Sequence, residues 1–234
     1  LSSWRYIVLG GLIAAYFVLM FEGLKTALST SLSAVLTLTP FIAAILEFVF
    51  FKRKLSWVTV FAFLIGAIGA LWVIFDADKS KILEFNIGRG ESIFFIGCTC
   101  QAIYTTLVPK LNVGESAIEQ TSTTMLFSAI ILIFFDFKVI VATEWGQLQP
   151  IVWFTIIYLS VFATAVAFFI IQYSRNFLPS SYLMAYYYLV PMWVLIFEVV
   201  FFQLAVEPQI WIGCFGIISA FFLILVKDIK SKNL

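Results

Sequence analysis

Two prolines and two glutamates recur at one spacing inside long apolar stretches: Pro40 with Glu47, and Pro191 with Glu198. Seven residues make about two helical turns, so in a helix each proline shares a face with its glutamate. A carboxyl in such surroundings is neutral when shielded and ionised when wet, which suits a proton carrier or a gate. A proline removes one backbone hydrogen bond and frees the carbonyl four residues earlier, creating a cavity-facing acceptor or a pivot. Plainer readings stand beside these. The glutamates lie about 8–10 Å from a segment end and would then reach headgroups or a lysine. The prolines would then be static bends whose freed groups are satisfied by neighbours.

A second set is polar and aromatic. Ser33 and Thr37 lie four apart and Gln101 and Tyr104 three apart, each pair on one helical face. With Tyr16 and Tyr188 they suit a crevice for a small, amphipathic, zwitterionic or aromatic solute. Each hydroxyl has an alternative partner in its own helix backbone, and each tyrosine an alternative place in an interfacial belt. The run Tyr186-Tyr187-Tyr188 covers too much of a helix circumference for all three rings to face one cavity.

Other chemistry is poorly provided for. There is no histidine, and Cys98 and Cys100 diverge by about 200° on a helix, so neither a metal nor a cofactor is expected. Cys98, Cys100 and Cys214 read as small packing residues. The four aspartates lie at or beyond the ends of apolar stretches, which argues against a membrane-embedded enzyme. No Gly-rich loop cradles a phosphate, and no segment offers a channel's ring of like groups.

The elements that must position these residues are membrane helices. Apolar residues make up 63% of the chain and charged ones 12%, against roughly 25% charged in a soluble domain. Crossing a ~30 Å hydrocarbon layer takes about 20 helical residues. Runs of that size predict spans at Trp4–Phe21, Ser31–Phe51, Trp57–Phe75, Ser92–Val108, Ile118–Phe135, Ile151–Tyr173, Ser181–Leu204 and Gln209–Val226. The first is too long for a signal peptide and lacks a small-residue cleavage site. The net charge of +1 and the absence of a basic patch give no sign of nucleic-acid binding. Partners are therefore the lipid bilayer and a small-molecule substrate, with proton coupling as an option; oligomeric state is left open.

Alternation of the spans sorts the basic residues. Arg5, Lys52, Arg53, Lys54, Lys110, Arg175, Lys227, Lys230 and Lys232 fall on one side, and Lys25, Lys79, Lys81, Arg89 and Lys138 on the other. The positive-inside rule predicts a cytoplasmic C-terminus in a bacterial cytoplasmic (inner) membrane. Arg175, where a span meets the cytoplasm, reads as an anchor or headgroup contact.

The chain also repeats itself. A shift of 151 residues superposes Ser29 on Ser180, Pro40 on Pro191, Glu47 on Glu198 and Phe50-Phe51 on Phe201-Phe202, with ten identities across the 23 positions from 29 to 51. Span two thus maps onto span seven. Five helices apart, the copies cross the membrane in opposite directions, the plan of transporters whose midplane site lies at a repeat interface. Residues 1–76 are read as a first repeat, 77–91 as a connecting loop, 92–227 as a five-helix second repeat and 228–234 as a cytoplasmic tail. Spans four and five have no partners in the first copy, and the chain opens on Leu1. We therefore expect a longer parent of ten helices.

These features resemble the drug/metabolite transporter superfamily, in particular its EamA-like members. The resemblance is carried by GLKTALSTSLSAVLTLTPFIAAILEFVFFKRKLS from Gly23, CQAIYTTLVPKL from Cys100 and SSYLMAYYYLVPMWVLIFEVVF from Ser180. It covers nearly the whole chain, as family helices three to ten of a five-plus-five inverted-repeat bundle. Thr39-Pro40 and Tyr188-Leu189-Val190-Pro191 match the proline pattern of helices four and nine. Lys52-Arg53 and Gln203-Leu204 stand where the family usually has Gly-Glu, and Gln101 stands for a usual tryptophan. The resemblance implies a secondary transporter exporting amino acids or related metabolites. A nucleotide-sugar or sugar-phosphate exchanger is the alternative, although no Lys or Arg lies mid-span to hold a phosphate.

Overall fold

Lipid offers the backbone no hydrogen-bond partners, so each apolar stretch satisfies its own N–H and C=O groups by coiling into a helix. The computed structural model describes residues 3–27, 29–52, 56–75, 77–84, 87–175, 177–203 and 207–232. Its helices are α1 (Ser3–Leu24), α2 (Ser29–Leu36), α3 (Thr39–Phe51), α4 (Trp57–Ile74), α5 (Lys79–Leu83), α6 (Arg89–Leu111) and α7 (Ala117–Phe135), followed by α8 (Phe137–Ala142), α9 (Pro150–Tyr158), α10 (Ala167–Ser174), α11 (Ser180–Ala185), α12 (Leu189–Phe202) and α13 (Ile210–Lys232). A π-helical stretch, Leu159–Val166, joins α9 to α10, and a 3-10 turn, Tyr186–Tyr188, joins α11 to α12.

Six helical stretches are long and apolar enough to cross a bilayer, and Tyr186–Phe201 and Ile210–Ile224 are shorter apolar helices. No strand occurs among the described residues. The protein is an all-α, multi-pass integral membrane protein, and its eight apolar segments are those the sequence predicts. Boundaries shift by a few residues, and α6 begins at Arg89 rather than Ser92. The Glu91 carboxylate accepts the Gly88 N–H at 3.1 Å, so the helix gains its first turn. At the start of α7 the pairing is reciprocal: the Ser116 hydroxyl accepts the Glu119 N–H at 3.3 Å and the Glu119 carboxylate accepts the Ser116 N–H at 2.8 Å.

Spans two and seven are each broken rather than merely bent. The first splits at Thr37–Leu38, and Pro40 lies in the opening turn of α3, where its missing N–H costs nothing. The second passes through the 3-10 turn three residues before Pro191. Both segments also end alike. Lys52 and Gln203, 151 positions apart, hold left-handed φ values of 54° and 52°.

Packing runs through small residues, because burying apolar surface in lipid drives little association and close van der Waals approach must replace it. Helices α4 and α13 run antiparallel: a Cβ on Gly69 would stand 2.8 Å from the Gly213 carbonyl oxygen, and the Trp72 indole donates to the Gln209 carbonyl at 3.0 Å. Helix α1 lies antiparallel to α6, meeting it from Gly23 against Gly90 to Arg5 against Leu111. It crosses α7 where a Cβ on Gly10 would stand 2.8 Å from the Ser128 nitrogen.

Candidate functional site

Polar side chains that cannot face lipid turn inward, and here they collect along one face of α6. Gln101 is 1% exposed, and its side-chain nitrogen donates to the Tyr187 hydroxyl at 3.2 Å, while its oxygen has no hydrogen-bond partner. Tyr16 on α1 is an electrostatic neighbour of Tyr187 and Cys98, and its ring packs on Phe94 at 6.4 Å. One turn along α6, Tyr104 is fully buried, with its ring 6.1 Å from Phe168 of α10.

The break before α3 is chemically closed. Pro40 cannot donate to the Leu36 carbonyl, and the Thr39 hydroxyl donates to it instead at 2.7 Å. Thr37 donates to the Ala34 carbonyl at 2.7 Å, the local backbone bond that competes with any solute contact. Ser33 is half-buried on α2 and has a polar neighbour of its own.

The predicted set therefore divides. The structure gathers Tyr16, Gln101 and Tyr104 along α6 and places Thr37 and Pro40 at the break. It does not bring Tyr188 to them. That ring faces α4, where a Cβ on Gly66 would stand 2.6 Å from it, and Tyr187 takes the place beside Gln101. The 3-10 turn advances each residue by about 120° instead of 100°, which rotates the tyrosines relative to a continuous α-helix. Glu47 is 4% exposed on α3 and engaged by a neighbouring group. Pro191 is buried near the start of α12, and the Glu198 side chain lies outside the described residues.

Arg175, read from sequence as an interfacial anchor, is instead 8% exposed and lies over the Tyr104 ring, 5.4 Å from its centroid. Burial pulls its guanidinium down to about 10, so it stays protonated at neutral pH. Thr121, Thr124 and Gln172 are also buried with side-chain polar atoms lacking hydrogen-bond partners. The spacing of Thr121, Thr124 and Ser128 at three and four residues, in an otherwise apolar span, is the sequence signal that could have found this face.

A clamp lies at the same end of the bundle. Arg5 and Tyr6 of α1 reach Glu115 in the α6–α7 connection at 2.9 and 3.0 Å, and the Val113 N–H donates to the same carboxylate at 2.8 Å. Led by the Val113 bond, these contacts hold Glu115 at about 2. The depression lined by Phe134 to Val139 lies at the opposite end of α7 from Thr121 and contains none of these groups.

No group of three metal-ligating side chains occurs among the described residues. What remains is a buried polar seam between helices, the element a solute carrier needs and a lipid-facing surface forbids. Residues 1–75 and 88–226 match the profile of the EamA-like transporter family. The chain belongs to that family. The all-α, multi-pass architecture accords with that membership. A relative, "Uncharacterized transporter YyaM" of Bacillus subtilis (strain 168), is 26% identical over 168 residues, which are 71% of this chain and 55% of that protein. The chain thus spans about half the length of that curated relative. A solved crystal structure shares 17% identity at a TM-score of 0.74, covering 96% of this chain and 76% of the other. At that identity the likeness concerns the fold alone.

Proposed function

We propose that this EamA-like protein exports small polar, amino-acid-like metabolites by alternating access, with its two halves rocking about a site along α6. The observation that carries the reading is the matched pair of helix breaks, one before Pro40 and one before Pro191, at positions related by the 151-residue shift. Interrupted helices in corresponding halves mark midplane sites in transporters, since unwound backbone is tolerated only where protein or a water-filled cavity surrounds it. Gln101, Tyr104 and Tyr187 then supply polar contacts near the α3 break. Glu47 and Glu198 are the acids available for coupling to protons.

Cells expressing the complete coding region should release labelled amino acids faster than vector controls and resist toxic amino-acid analogues. Gln101→Leu should abolish the gain. Glu47→Gln or Glu198→Gln should flatten its pH dependence. Unchanged release and resistance across an amino-acid panel would end the export reading. An unaltered pH profile in both glutamine variants would remove only the proton role.

A further inference from the structure

Arg5 and Arg175, both at the basic end of the bundle, differ in one respect. Arg5 is paired with Glu115 at 2.9 Å. Arg175 is 92% buried by its 8% exposure, yet none of its three guanidinium nitrogens makes a hydrogen bond, and no acid pairs with it among the described residues. The Tyr104 hydroxyl lies within weak hydrogen-bonding reach of Arg175 and of Thr124, but in neither case at the geometry of an ordinary hydrogen bond. An isolated buried cation is costly, and natural proteins relieve that cost with a counter-charge.

The surroundings are built for an anion. Thr124 of α7 neighbours the Tyr104 hydroxyl. Thr121 stands one turn from Thr124, and Gln172 one turn from Arg175, each on the same helical face. The Tyr104, Thr121 and Thr124 hydroxyls and both polar atoms of Gln172 are buried without hydrogen-bond partners. Tyr104 of α6, with Thr124 of α7 beside its hydroxyl, thus borders a forked cation, whose planar geometry matches the two oxygens of a carboxylate.

We propose that Arg175, with Tyr104, Thr121, Thr124 and Gln172, forms an oxyanion site that holds the carboxylate of the transported solute. The assignment rests on the transport reading and narrows it: the solute carries an acid group, and Arg175 rather than a mid-span lysine recognises it. An anionic phospholipid phosphate has the same oxyanion chemistry, so the test separates the two.

The probes are L-amino acids, the matching amino-acid amides and inorganic phosphate, measured by equilibrium binding and thermal shift on the protein in neutral detergent. At least one acid should bind while its amide does not, a contrast that needs no variant. Arg175→Gln should weaken that acid by about tenfold or more, with Arg175→Lys intermediate and Thr124→Val a few-fold weaker. Equal binding of acid and amide, binding of neither, or unchanged affinity in Arg175→Gln and Thr124→Val would overturn the site. So would native mass spectrometry showing a phospholipid retained by the protein, lost in Arg175→Gln and not displaced by any acid. Transport that proceeds unchanged in Arg175→Gln sinks this assignment and leaves the export reading standing. Acid binding that depends on Arg175, in a protein that exports nothing, does the reverse.

Discussion

Thr39 repairs the backbone that Pro40 breaks. Its hydroxyl takes the Leu36 carbonyl that a backbone N–H at position 40 would have taken. Removing that hydroxyl leaves a part-buried acceptor unsatisfied, a cost of about 1 kcal/mol. Thr39→Val should therefore destabilise the protein by about that amount, whereas in a Pro40→Ala background, where the N–H returns, the same change should cost little. Thermal unfolding of the four proteins in the cycle checks this; additive losses would show that the hydroxyl acts elsewhere. The proline was legible in the sequence, and so was a bond from Thr37 to its own helix as the alternative to a solute contact. The pairing of Thr39 with Leu36 was not, because any hydroxyl near a proline has several carbonyls within reach until χ1 is set by packing. Arg175 shows the stronger limit. Its place at the end of a span says that it borders water, and only the approach of α6 and α7 shows that it is buried.

At the scale of elements, the two broken spans end in the same strained way. Lys52 and Gln203 adopt φ of 54° and 52°, a region that costs an L-residue about 1 kcal/mol and glycine nothing. This gives a physical reason for the glycine usual at these positions in EamA-like proteins: it closes a helix in the left-handed conformation. Lys52→Gly and Gln203→Gly should each raise stability by up to about 1 kcal/mol, read as a higher melting temperature in detergent. A loss in both would mean that the side chains contribute more than the strain costs. The spans themselves were readable from hydropathy because their length answers to bilayer thickness. The exact break was less so, since a 3-10 turn and an α-turn have the same composition. Hence Tyr188, on the expected face of a continuous helix, is turned to α4 while Tyr187 meets Gln101.

For the whole molecule, contacts sort the ends. Arg5 meets Leu111 and Glu115, and the Lys110 ammonium lies 5.4 Å from the Phe50 ring, so the ends of α3 and α6 and the start of α1 share one end of the bundle. Gln209 lies against Trp72 at the far end of α4, which places the turn at Glu207 opposite Lys52. Single cysteines at Lys52 and Glu207, in a background where Cys98, Cys100 and Cys214 are replaced, should be labelled by an impermeant thiol reagent from opposite faces of the membrane, Lys52 from the cytoplasmic one. Labelling of both from one side would contradict this arrangement and, with it, the opposed halves on which alternating access depends.

The sequence by itself determined that the chain lives in lipid, where its apolar helical segments fall, and which family it resembles. Those properties follow from composition, segment length and a repeated pattern, all of them local or periodic. Which tyrosine meets Gln101, that Arg175 is enclosed by Tyr104 and its neighbours, and which glycines touch were decided only by the tertiary structure. Each depends on the rotation of one helix against another, and a turn of about 100° per residue makes that rotation sensitive to a single interrupted hydrogen bond.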